Sequence, residues 1–341
     1  MRTKINNLIN ILLVFVSTFV FLFIIEISFR VIWTPDENRS ISGFVIEDPE
    51  LVWKLKPQSI KELKTNELGL RDFPYNKNAD VKILVLGDSI TWGHGIDDQQ
   101  FLYTSILETL LKEKHPNKSF EVINSGVPGY STFQERIYLE KYGIALNPDI
   151  IILQFCLNDI FEPYLTLASL GGDNQFLGID TRKAAEGIFG WLLQHSAAFE
   201  WGVKRAIWIV KKREEYSAKK LCQNSLSNEL IQAWDKTLNE IQLIINLARQ
   251  NNTQIIVLIA PYEFQLSNPV ETNQPQKILT NFSNMRGAVV IDLLPYFKEA
   301  EKIKGTPLFI DENHFSRLGH YITAKVIAKY FDEKLVANFT H

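Results

Sequence analysis

One stretch, VKILVLGDSITWG from Val81 to Gly93, constrains this chain more than any other. Its first half is an almost unbroken apolar run rich in β-branched residues, the pattern of a strand buried on both faces in a parallel sheet. It stops abruptly at Gly87-Asp88-Ser89. A serine just past the C-terminal end of such a strand stands where open α/β sheets place their ligands. If a helix follows, its first N–H groups point at whatever Ser89 attacks. Two readings stand at this point: Ser89 as a nucleophile, or Ser89 as a helix cap after a core strand.

The rest of the chain supplies the scaffold. Apolar runs at Phe120–Asn124, Ile150–Phe155, Gln254–Ala260 and Val289–Asp292 read as further strands. Helical spacing covers Phe101–Lys114, Thr132–Tyr142, Asn228–Gln250 and a last segment from a Ser316 cap to about Leu335. Thr132-Phe133-Gln134-Glu135 has the form of a capping box. Such alternation predicts a parallel sheet with helices on both faces. From Phe161 to Leu226 it lapses, with no clear strand and with Trp191, Phe199, Trp201 and Trp208 before Lys211-Lys212-Arg213. This reads as a helical insertion whose aromatic residues contact the core, or line a lid or a membrane-facing surface.

Leu8–Ile25 is strongly apolar, and continuing to Trp33 it is long enough to span a bilayer. Glu26 and Arg30 are spaced to pair, Trp33 suits an interfacial anchor, and Arg2 and Lys4 keep the N-terminus cytoplasmic. A cleaved signal peptide is the rival, but the run is long and Thr34-Pro35-Asp36-Glu37 offers no small-x-small site. The expected organisation is therefore 1–33 as cytoplasmic tip and anchor, 34–80 as linker and docking arm, and 81–341 as a domain lying outside the cytoplasm. In the arm, Trp53 and the pair Leu68 and Leu70 are the expected docking residues. Asn66–Arg71 reads as a tight turn with a basic tip, Arg71 expected on the surface, with a place facing Ser89 as the alternative. A net charge of -3 argues against nucleic acid as a partner. The two cysteines, Cys156 and Cys222, form no disulfide framework. No His/Asp cluster has metal-ligand spacing, so neither metal nor cofactor is expected.

A serine hydroxyl needs a base to become a nucleophile, and a histidine base needs a carboxylate to orient it. Of six histidines only His314 has an aspartate three residues before it, in Asp311-Glu312-Asn313-His314. The plain alternative is a loop aspartate beside a surface histidine. The position, after the last strand and before the Ser316 cap, is an edge where catalytic loops belong. Acyl transfer also needs donors for the developing oxyanion. The Ser89 N–H, the Gly126 N–H and the Asn158 side-chain amide follow three different strands at one end of the sheet. Gly126 and Asn158 equally suit turns of their own.

Gly87-Asp88-Ser89 with Gly93, then Gly126, then Asn158-Asp159, then Asp311-x-x-His314 resemble the four blocks of the SGNH (GDSL-type) hydrolase family, in order, between Val81 and about Leu335. The arm from Asn66 to Arg71 is similar to the segment before the first block in membrane-anchored bacterial members. The resemblance implies a three-layer α/β/α sandwich, flavodoxin-like, with a five-stranded parallel sheet. It implies esterase chemistry with Ser89 as nucleophile, His314 as base, Asp311 as its partner, and Ser89, Gly126 and Asn158 as the oxyanion hole. Cys156 departs from the pattern, standing where the family usually has glycine. The substrates implied are O-acyl esters, on acetylated glycans by location or on lipids by tethering. An O-acyltransferase, or a non-catalytic glycan-binding or assembly protein on the same fold, is the alternative.

Overall fold

From Val81 onward the apolar runs become a wholly parallel five-stranded sheet. The computed structural model describes residues 2–32, 45–48, 50–57, 65–160, 175–176, 179–180, 191–192, 195–199, 201–202, 205, 218–223, 225–267, 273–302 and 305–334. In chain order the elements used below are α1 (Arg2–Ile32), β1 (Val45–Asp48), β2 (Val52–Leu55), β3 (Val81–Leu86), α2 (Ser89–Trp92), α3 (Tyr103–Lys114), β4 (Phe120–Asn124), α4 (Thr132–Tyr138), β5 (Ile150–Phe155), β6 (Gln175–Phe176), β7 (Ile179–Asp180), α5 (Asn228–Gln250), β8 (Gln254–Ile259), α6 (Phe264–Ser267), α7 (Gln274–Asn284), β9 (Val289–Asp292), α8 (Leu294–Glu301) and α9 (Arg317–Lys334).

The sheet order is β4-β3-β5-β8-β9, every neighbouring pair parallel. Every residue of β5 is buried, and so is all of β3 except Lys82, as strands covered on both faces require. α3 packs against α9 and α4 against α5, giving helix layers around the sheet. The order reverses between β3 and β5. Ligands of doubly wound sheets bind at that switch point, beyond the strands' C-terminal ends.

Local chemistry sets the helix ends. Ser316 caps α9 as expected, its Oγ accepting the Gly319 N–H at 3.3 Å. The capping box of α4 forms one residue earlier than expected. Ser131, not Thr132, is the cap, and its N–H donates to Gln134 Oε1 at 3.1 Å. The helix expected to reach Tyr142 ends at Tyr138 and continues as a wide turn over Leu139–Gly143.

The chain divides into two units, Met1–Gly43 with Leu167–Lys212, and Phe44–Thr166 with Arg213–His341. In the first, Leu12–Val31 of α1 has a mean hydropathy of 2.5, long and apolar enough to cross a membrane. Arg30 Nε donates to Glu26 at 2.8 Å, the expected pair. The same carboxylate accepts from Ser196 Oγ at 2.8 Å and from the Ala197 N–H at 2.9 Å. Arg30 also donates to the His195 carbonyl at 2.7 Å, and Phe29 meets Trp201 with ring centroids 5.1 Å apart. These contacts tie residues 195–197 and Trp201 to the N-terminal segment. The stretch expected to be strand-free holds the short antiparallel pair β6–β7. Trp33, Trp208, Lys211-Lys212-Arg213 and most of the 161–226 insertion lie outside the described residues.

In the second unit the arm is more structured than its prolines suggest. β1 and β2 form an antiparallel pair, turned by Asp48, whose Oδ1 accepts the Glu50 and Leu51 N–H groups at 3.1 and 3.0 Å. Trp53 is buried, edge-on to Tyr130 at 5.5 Å, and Tyr130 OH donates to the Trp53 carbonyl at 2.6 Å. Leu70 is buried, whereas Leu68 is 39% exposed and does not dock.

Candidate active site

Ser89 is the first residue of α2, immediately beyond β3. The cap of that short helix is Asp88, whose Oδ1 accepts the Ile90 N–H at 2.8 Å. Capping is therefore done by the neighbour, and the Ser89 hydroxyl is turned elsewhere. Its Oγ lies 2.8 Å from His314 Nε2, across 225 residues of sequence.

His314 stands on a loop whose shape follows from local bonds. The Ile310 N–H donates to the His314 carbonyl at 2.8 Å, and the Ser316 N–H to the Leu308 carbonyl at 2.9 Å. Phe309 and Phe315, which flank the loop, pack with Phe297 of α8 at ring distances of 5.5 and 4.8 Å. The Glu263 N–H, beyond β8, donates to the Glu312 carbonyl at 2.8 Å and ties the tip to the sheet's edge. Inside the loop His314 Nδ1 lies 2.8 and 2.9 Å from the two Asp311 oxygens. Burial works against the Asp311 charge. The His314 ring and the backbone N–H groups of His314 and Asn313 outweigh it and hold the carboxyl well below the usual carboxylate range. An ionised carboxylate only accepts hydrogen bonds, so Nδ1 carries the ring proton and Nε2 presents its lone pair to Ser89.

Asn158 follows β5, and its Nδ2 donates to Asp88 Oδ2 at 2.8 Å, beside the nucleophile. Burial pushes the Asp88 carboxyl up, against the hydrogen bonds from Asn158 and Ile90. Cys156 is fully buried, and its N–H donates to Asp159 Oδ2 at 2.9 Å. Its thiol is thus a small core group under the Asn158 turn.

Gly126 is not placed as expected. Its N–H donates to Asn124 Oδ1 at 3.0 Å. A β-carbon there would lie 2.3 Å from the Trp92 nitrogen, so this glycine exists to let α2 pack on the end of β4. The turn it opens continues to Val127-Pro128-Gly129-Tyr130, closed by Tyr130 N–H to Val127 O at 3.1 Å, with Gly129 at φ +79°. Proline second and a left-handed glycine third define a type II turn.

Two site neighbours escape a reading by spacing. Arg71, expected on the surface, is 2% exposed. Its guanidinium donates to the carbonyls of Trp92 (2.9 Å), Gly93 (2.7 Å), Asp97 (3.3 Å) and Ile96, and lies 4.7 Å over the Trp92 ring. His94 has no aspartate three before it, yet its ring centroid lies 4.3 Å from that of His314. The only sequence signal for it was its bracket of glycines, Gly93 and Gly95.

The model of the GDSL-like Lipase/Acylhydrolase family matches residues 85–322. Among curated proteins none matches. Solved structures that resemble the chain include Axe2, an acetylxylan esterase from Geobacillus stearothermophilus, at 16% identity and TM-score 0.45, covering 75% of this chain and 95% of that one. The acetyl xylan esterase AlAXEase gives 16% and 0.44, covering 73% and 99%. A two-domain esterase active on acetylated mannans gives 14% and 0.44, covering 74% and 49%.

Proposed function

The chain belongs to the GDSL-like lipase/acylhydrolase family, and from that premise we propose a membrane-anchored serine esterase that cleaves O-acyl esters outside the cytoplasm. The observation that carries the proposal is the relay Ser89 Oγ–His314 Nε2 at 2.8 Å with His314 Nδ1–Asp311 at 2.8 Å. His314 takes the hydroxyl proton as Ser89 Oγ attacks the ester carbonyl. The protonated ring, steadied by Asp311, returns that proton to the departing alcohol. Water, deprotonated by the same nitrogen, then releases the acid from the acyl-enzyme.

The oxyanion falls to the Ser89 N–H, the Asn158 amide and the turn after β4. With the Gly126 N–H held by Asn124, we assign the third donor to the Gly129 N–H. In a type II turn the third residue's N–H lies outside the turn's own hydrogen bond. The Val127 N–H donates to the Gly87 carbonyl at 3.1 Å, which holds this turn beside the nucleophile's strand. Acetyl esters of glycans, named for the solved structures above, are the substrates to try first. The anchor reading is supported by α1, with Arg2 and Lys4 at its start.

The test is turnover of p-nitrophenyl acetate and acetylated xylo-oligosaccharide, with labelling by a fluorophosphonate probe. Ser89→Ala and His314→Ala should each lower kcat by about 10^4–10^6-fold, and the double variant no further, because the residues act as a unit. Full activity in Ser89→Ala would eliminate the proposal.

A further inference from the structure

Spacing in the sequence offers no set of metal ligands, yet the fold assembles one at the mouth of the site. One donor atom each from His94, Asp311 and His314 lies within 4.8 Å of the others. His94 is delivered there by a tight helix end. Gly93 closes α2 at φ +87°, and the His94 N–H donates to the Ser89 carbonyl at 2.9 Å. Gly95, at φ +75°, then turns the chain away. A β-carbon on Gly93 would meet Leu102 at 2.1 Å, and one on Gly95 would meet Ile310 at 2.7 Å. The bracket of glycines thus fixes His94 against the His314 ring, and both His94 and Asp311 are open to solvent.

We propose that His94, Asp311 and His314 bind one zinc ion, and that zinc bound there switches the esterase off. Two imidazoles and a carboxylate, with solvent completing the shell, form a ligand set suited to zinc and poorly suited to magnesium. Tetrahedral donors about 2.0–2.2 Å from zinc stand about 3.4 Å apart, so the set must close by roughly 1.4 Å at its widest. Rotation of the exposed His94 ring supplies movement of that size. Inhibition follows from the chemistry of a neutral imidazole, which has a single lone pair. The Asp311 oxygens lie 2.8 and 2.9 Å from His314 Nδ1, so zinc shared by the two residues takes Nδ1. The proton that Nδ1 carried then sits on Nε2, which has no lone pair left to accept the Ser89 proton. The base is lost, and the carboxylate that orients it is diverted to the metal.

This inference rests on the catalytic reading of His314, so the test separates the two. Calorimetry with zinc chloride on the full chain carrying Ser89→Ala reads binding without turnover. One equivalent should bind, and adding His94→Gln should weaken it by at least about tenfold, since losing even a residue that only supports a ligand costs that much. In the active enzyme zinc should inhibit p-nitrophenyl acetate turnover, a chelator should restore it, magnesium should have no effect, and His94→Gln should raise the inhibition constant by a similar factor. Binding or inhibition that ignores His94→Gln overturns the proposal. So does loss of activity on chelation, which would make the metal a catalytic one. An inactive enzyme that still binds zinc through His94 removes the esterase reading and leaves the site.

Discussion

At the scale of single residues, the site works because duties are divided between neighbours. Asp88 caps the short helix, so Ser89 is left to its base. Asn124 holds the Gly126 N–H through its side chain and donates to the Thr91 carbonyl at 2.9 Å. Its own N–H rests on Asp72 at 2.8 Å. Burial pushes the Asp72 carboxyl up to about 7, helped by the charges of Glu108 and Glu121, despite N–H donors from Asn124 and Phe73. With the folded value above the ordinary 3.8, the native state holds an extra proton between about pH 4 and pH 7. That stabilisation is complete below the lower value and is lost as pH rises through the upper one. We therefore expect the urea midpoint of the native protein to fall relative to Asp72→Asn between pH 4.5 and pH 7.5; parallel curves would refute the assignment. Cys156 gives a second case. If its side chain tightens the Asn158 turn, Cys156→Gly should raise turnover of a small acetyl ester, and unchanged or lower turnover counts against that role.

At the scale of elements, the arm before β3 does more than lie on the domain. Arg71 ties it to the segment Trp92–Asp97 by carbonyl contacts that a lysine ammonium does not reproduce, because the guanidinium fork is planar and rigid. Burial lowers its pKa to about 10, against the charges of Asp97 and Asp98, which leaves it charged at neutral pH. Arg71→Ala strands buried carbonyls and should cost about 2–4 kcal/mol of stability. Arg71→Lys should cost less. Both should lower kcat more than they raise KM, since Trp92–Asp97 continues the nucleophile's helix and carries His94. Denaturant titration together with steady-state kinetics checks this, and wild-type kinetics in a destabilised Arg71→Ala protein would limit the arginine to a structural part. β1–β2 is fixed in the same piecemeal way, by Trp53 against Tyr130.

At the scale of the whole molecule, one chain joins an apolar helix to a GDSL-type domain built on a parallel five-stranded sheet. If α1 anchors the protein, the membrane fraction should contain a chain whose N-terminal peptide, found by mass spectrometry, precedes Leu8. A mature protein starting beyond Trp33 would make the same helix a cleaved signal. Much of this organisation was legible in the residues. Buried parallel strands write themselves as short β-branched runs, and β3, β4, β5 and β9 begin and end where those runs do. Ser89, Asp311 and His314 could be nominated because acid–base chemistry demands particular side chains at particular offsets. Contacts that depend on which segments meet were not legible. No spacing along the chain says that Arg71 lies beneath the helix after β3, that His94 lies against a ring 220 positions away, or that the Gly126 N–H already has an acceptor. Local pattern is a property of neighbours in sequence. The closing of Ser89 on His314 at 2.8 Å is a property of the sheet order, which brings the ends of β3, β5 and β9 to one edge.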